Sequence, residues 1–157
     1  MKQIFSNIYV VLACRLLVGA LFLTAAVPKI IDPAGFAINI DNYHFLPTFL
    51  VNIWAIGLPW VELLIGVILV IGPAINRPLD TLTEASALIS ALLYLSFIIA
   101  LSAALARGLD IDCGCFATDG IGRINYWYLL RDSSLLAASL VVFFFHRRLD
   151  VRPSLDG

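Results

Sequence analysis

Apolar residues in this chain gather into four long runs. Phe5 to Val27 contains one charge, Arg15, and Phe49 to Pro73 contains one, Glu62. Ala85 to Ala106 contains none, and Tyr126 to Phe145 contains Arg131 and Asp132, both near its start. Each run reaches the roughly 20 residues that a helix needs to cross ~30 Å of hydrocarbon. In lipid the backbone must satisfy its own hydrogen bonds, which admits helices and excludes an open sheet. The pattern therefore predicts an all-α fold: an integral membrane four-helix bundle of one domain over residues 1–157, with spans of about 5–27, 49–73, 85–106 and 126–145. The first run exceeds the roughly 7–15 residues of a signal-peptide core and continues into Pro28-Lys29 without a convincing cleavage site, so it reads as a retained helix.

The stretches between the runs carry the turn formers. Loop one, Pro28 to Thr48, holds Pro33, Gly35, Asn39, Asp41, Asn42 and Pro47 and reads as a polar, turn-rich connection. Loop two is short, and Thr81-Leu-Thr-Glu84 reads as a capping box that opens the third span. Loop three, Arg107 to Asn125, contains Cys113-Gly114-Cys115. Tyr126, Trp127 and Tyr128 follow it and read as interfacial anchors of the fourth span. Small residues (Ser90, Ala91, Ala103, Ala104, Ala137, Ala138 and Ser139) allow the third and fourth spans a close neighbour.

Composition agrees with this picture. Apolar residues are 61% of the chain and charged ones 13%, about half the share of a soluble domain. The net charge is −1 with the charges scattered, so there is no basic footprint for nucleic acid. Basic residues do carry orientation. Four spans put Lys2, Arg77, Arg147, Arg148 and Arg152 on the side of the termini, against Lys29, Arg107 and Arg123 on the other, with Arg131 just inside the fourth span. The positive-inside rule places both termini in the cytoplasm of a bacterial inner membrane, and loops one and three outside.

Cys113 and Cys115 are the most informative pair. A structural disulfide acts mainly by closing a long loop, whereas this one would enclose Gly114 alone. A bridge from i to i+2 is strained and more easily reduced, which on an oxidising face points to thiol–disulfide exchange. Soft metal binding and an inert pair are the other readings. Asp110, Asp112 and Asp119 surround the pair and disfavour a thiolate. Cys14, inside the first span, reads as a small hydrophobe. His44 shares a face with the cysteine pair, as a proton acceptor in exchange or an ordinary loop histidine.

Two charges lie deeper. Counting ~1.5 Å per residue, Arg15 and Glu62 both come ~15–20 Å into the bilayer. Opposite charges at one depth should pair or line a polar cavity, as a packing element or as the wall of a quinone or proton path. Arg131, about one turn inside the outer interface, would hold a quinone carbonyl, stabilise a thiolate or snorkel to headgroups.

These residues also resemble a family. Arg15-Leu-Leu-Val-Gly19-Ala-Leu-Phe22, Pro28-Lys29-Ile-Ile-Asp32-Pro33, Asn42-Tyr43-His-Phe-Leu46-Pro47 and Leu58-Pro59-Trp60-Val-Glu62 are similar to DoxX-like membrane proteins. Asp112-Cys113-Gly114-Cys115-Phe116, Trp127 and Arg131-Asp132 resemble more narrowly the MauE, or methylamine-utilisation, branch. The resemblance implies a four-helix inner-membrane bundle that helps mature disulfide-rich periplasmic proteins with a thioredoxin-like partner. Relatives link thiol oxidation to quinone reduction, which implies quinone as a cofactor with Arg131, Glu62, Arg15 and Trp60 around it. Vitamin K epoxide reductase-type enzymes also set redox cysteines before a helix of such a bundle, but here the motif is Cys-x-Cys and no second exofacial pair is present. The expectation is a membrane thiol–disulfide oxidoreductase using Cys113, Cys115 and His44. Its rivals are a non-catalytic docking or maturation factor and a Cu(I)-handling protein. Nothing in the residues themselves ties the chain to methylamine metabolism.

An impermeant thiol reagent added to intact cells is expected to label reduced Cys113 and Cys115 from outside; labelling only after lysis would reverse the predicted topology.

Overall fold

The structure, a computed structural model, describes residues 8–44, 46–75, 78–109 and 125–145. It is helical: α1 Ile8–Ile31, α2 Pro33–Asn42, α3 Thr48–Ile75, α4 Pro78–Ala106 and α5 Tyr126–Phe145. The four long helices supply the candidate spans Tyr9–Ile31, Thr48–Gly72, Thr81–Ala106 and Tyr126–Phe145. They form a ring in which α1 packs on α3 and α5, and α4 packs on the same two. All four contribute to one apolar core, with Val18 and Phe22 from α1, Ile65 and Leu69 from α3, Tyr94 from α4, and Leu135 and Val142 from α5. Large apolar side chains such as Ile53, Leu64, Leu92, Ile99 and Phe144 point outward. A helix apolar on both its inner and outer faces suits lipid, and the chain is a multi-pass membrane protein.

Loop one differs from expectation. Helix α1 runs through Pro28 to Ile31, and most of the remainder forms α2. The break falls at Asp32, which leaves the helical region (φ −126°, ψ 75°), as the following proline disfavours helical backbone before it. Its Oδ1 accepts from the Gly35 amide at 2.9 Å and caps α2, with Pro33 at the first turn. Phe36, Asn39, Ile40 and Tyr43 recur at helical spacing along one face. Phe36 packs with Ala55 and Leu58 of α3, so α2 sits beside the first turns of α3 that overhang the end of α1. The α4 start also differs. The helix begins at Pro78, a favourable first position, so Thr81 lies within it and is not its cap.

Two glycines set the register of α1 against α3. A Cβ on Gly66 would lie 2.9 Å from the Gly19 carbonyl oxygen and 2.8 Å from Leu23 Cγ, and one on Gly19 would lie 3.2 Å from the Gly66 carbonyl. The helices cross in near backbone contact, as small residues permit. At the far end of α4, Gly108 adopts φ 66°. Its amide donates to Leu105 O at 3.0 Å and the Leu109 amide to Ala104 O at 3.1 Å. This Schellman ending needs a left-handed residue and stops α4 abruptly.

Gly66→Ala is expected to lower stability by about 1–2 kcal/mol in a detergent unfolding assay, because overpacking against backbone outweighs the better helix propensity of alanine. Gly57→Ala, with open space around its Cβ, should leave stability unchanged or slightly higher.

Candidate functional site: a charge-balanced polar cluster beneath an apolar cavity

The register places Glu62 level with Ala25, which lines a small cavity together with Glu62 and Lys29. Lys29 lies one turn further along α1, and helical side chains lean toward the helix N-terminus. The ammonium therefore reaches back to the carboxylate: Lys29 Nζ donates to Glu62 Oε1 at 2.7 Å and Oε2 at 2.8 Å. The two side chains are 3% and 1% exposed. Phe36 and Phe97 cover the ammonium, with ring centroids 4.9 and 5.9 Å from Nζ.

This corrects the expected Arg15–Glu62 pair. Arg15 is ten residues from Ala25 along α1, about 15 Å, and the same N-terminal lean carries it away from Glu62. It is buried, with no hydrogen-bond partner for Nε or Nη1 among the described residues. Lys29, expected on an exterior loop, takes its place because α1 continues past Pro28.

Helix α5 adds the second pair. Asn125 Oδ1 accepts from the Trp127 amide at 2.8 Å and caps the helix start. Arg131 donates from Nε and Nη2 to Asp132 Oδ1, each at 2.8 Å, and its guanidinium lies 5.0 Å from the Tyr128 ring centroid. Asp132 is buried while Arg131 is partly exposed. Lys29, Glu62, Arg131, Asp132 and Tyr94 all line the small cavity, whose ~20 Å³ has room for one water. Two cations and two carboxylates give this cluster no net charge.

Above it lies a larger cavity of about 240 Å³. Its walls come from α2 (Phe36, Asn39, Ile40, Tyr43), α3 (Trp54, Leu58) and α4 (Leu93, Phe97, Ala100, Leu101), and Lys29 and Asp132 line both cavities. The lining is apolar apart from these two charges, Asn39, Ser96 and Tyr43. The Ser96 hydroxyl donates to Leu93 O at 2.8 Å. Asn39 is 6% exposed and its Nδ2 has no partner among the described residues. The arrangement can hold a neutral, mostly apolar molecule that accepts a hydrogen bond.

Of the residues expected at the site, Glu62 and Arg131 come together. Trp60 is 53% exposed on the outer face of α3 and lines neither cavity, whereas Trp54 lines the large one. His44 is exposed in the turn after α2, at φ 47°, with its amide on Asp41 O at 2.9 Å. Tyr126 and Trp127 point outward, as anchors do. Cys14 packs against the apolar core. Cys113 and Cys115, the Cu(I) alternative that uses them, and the aspartates beside them lie outside the described residues. Sequence reasoning missed Lys29, Asp132 and Asn39 as site residues, although the signal was present: charges at span ends and one amide on an otherwise apolar helix face.

Four apolar spans around a buried, neutral ion cluster, with a cavity of about 240 Å³ at one end, define a polytopic membrane protein. The chain belongs to the MauE family: the family described as "Methylamine utilisation protein MauE" matches residues 7–145. It is 32% identical to the Methylophilus methylotrophus methylamine utilization protein MauE over 90% of this chain and 72% of that protein. It is 31% identical to the Paracoccus denitrificans protein of that name over 83% and 66%, and 33% to that of Methylorubrum extorquens over 76% and 60%. The chain thus spans about two thirds of the length of these relatives. No solved structure matches it.

Glu62→Leu strands the Lys29 ammonium in the core and should lose about 3–5 kcal/mol of stability, while Lys29→Met with Glu62→Leu recovers most of it. Arg15→Met leaves the pair intact and should shift the melting temperature far less. Equal losses from Arg15→Met and Glu62→Leu would restore Arg15 as the partner.

Proposed function

We propose that this protein is a membrane thiol–disulfide oxidoreductase of methylamine utilisation, passing electrons from a periplasmic thioredoxin-like partner through Cys113 and Cys115 to a quinone in the large cavity. The observation that carries the reading is the position of that cavity. It lies at the end of the bundle where α4 stops and α5 begins, the two points between which residues 110–124, bearing both cysteines, are strung. The names of the relatives supply the link to methylamine utilisation. The excess of basic residues on the side of the termini supports an inner-membrane location with cytoplasmic termini. Burial of Lys29 in an ion pair strengthens it by removing a cation from the opposite count.

A thiolate of the partner attacks one sulfur of the Cys113–Cys115 disulfide, breaking that bond and forming a mixed disulfide. The second partner thiol resolves it, leaving an oxidised partner and a Cys113/Cys115 dithiol. A quinone supplies an acceptor of two electrons and two protons, the equivalents released when the dithiol closes again to a disulfide. The walls are mostly apolar and the floor adds no net charge. Lys29 and Asp132 present polar groups at the base of the cavity, and His44, exposed beside Tyr43, whose carbonyl Arg107 at the end of α4 holds, would serve as the proton acceptor. Arg131, engaged with Asp132, positions that carboxylate.

Alkylation of Cys113 and Cys115 in membranes should show mainly disulfide with respiratory quinone present and a shift to dithiol on quinone depletion. A redox state indifferent to quinone would overturn the electron route. Full maturation activity in the Cys113→Ser, Cys115→Ser double variant would favour a docking role.

A further inference from the structure

We infer that Asn39 is the hydrogen-bond donor that recognises a ligand carbonyl in the large cavity; this deepens the quinone reading and rests on it. Helix α2 presents Phe36, Asn39, Ile40 and Tyr43 to the cavity at positions i, i+3, i+4 and i+7. A helix that only packed would carry an apolar side chain at the second of these. Here an amide occupies it, 94% buried by its 6% exposure, with Nδ2 unpartnered among the described residues. Buried donors are almost always satisfied, and one left open on a cavity wall calls for an acceptor inside.

The other polar groups define that acceptor. Lys29 is engaged with both oxygens of Glu62, Asp132 accepts from Arg131, the Ser96 hydroxyl donates to its own helix, and Tyr43 lies one turn further along α2. Because the floor is charge-balanced, a charged ligand would bring an uncompensated charge into low dielectric. The group that fits is a neutral carbonyl on an apolar scaffold. A quinone ring and a glycerolipid ester both offer this chemistry.

The probe is a short-chain benzoquinone, titrated onto protein in nanodiscs and read by quenching of Trp54 in a Trp60→Phe, Trp127→Phe background. Asn39→Leu should weaken binding about tenfold, the loss of one hydrogen bond of about 1.4 kcal/mol. Asn39→Ser, which keeps a donor, should recover part of it. A ring analogue without carbonyls should bind both forms equally. Diacyl lipid competing for the cavity with the same dependence on Asn39 would support the carbonyl site with lipid as its source. Unchanged quinone affinity in a folded Asn39→Leu protein would overturn the assignment while leaving quinone binding intact. Absence of quinone binding to the parent protein would instead remove the quinone reading itself.

Discussion

A lysine and a glutamate that meet inside a membrane bundle constrain everything around them. Neither side chain can be left alone in a low-dielectric interior, so Lys29 and Glu62 fix the register of α1 against α3 as firmly as the Gly19–Gly66 crossing does. The pair also dictates how α1 ends. The helix must pass Pro28 for Lys29 to face inward, and only then can Asp32 and Pro33 turn the chain into α2. Phe36 of α2 and Phe97 of α4 close over the ammonium. The wall of the large cavity is thus built outward from one ion pair.

The spans were legible because twenty apolar residues in a row have little else to do; the α5 range coincides with its run of sequence. The helix hidden in loop one was not. Its turn formers are as many as its apolar residues, and the stripe from Phe36 to Tyr43 becomes visible only when read at a period of 3.6. Pairing Arg15 with Glu62 by depth failed for a related reason. Counting residues from each end treats the helices as starting in one plane and ignores the lean of side chains toward the N-terminus, which carries Lys29 toward Glu62 and Arg15 away. Asp132 was not read as the partner of Arg131 because neighbours at i and i+1 do not normally face each other on a helix, yet the arginine fork is long enough to wrap onto it.

The end of the bundle that bears the cysteine segment is tied to the cavity wall. Gly108 stops α4 cleanly, and just before it Arg107 donates from Nη2 to the Tyr43 carbonyl at 2.7 Å and from Nε to Ala103 O at 3.1 Å. Tyr43 in turn lines the cavity. The departure point of residues 110–124 and the end of α2 are therefore held to each other through one side chain.

Charge balance in the cluster also bears on how electrons can move in the proposed scheme. Adding an electron without its proton to a group in the cavity would place net charge over a floor whose cations are already spoken for, in surroundings that solvate charge poorly. Transfer of electron and proton together avoids that penalty. A dithiol releases two of each when it closes to a disulfide, so Cys113 and Cys115 match an acceptor that must stay neutral from start to finish. The same argument disfavours a one-electron donor at this site, since it would leave a charged species facing Lys29 and Asp132, which are already engaged with Glu62 and Arg131.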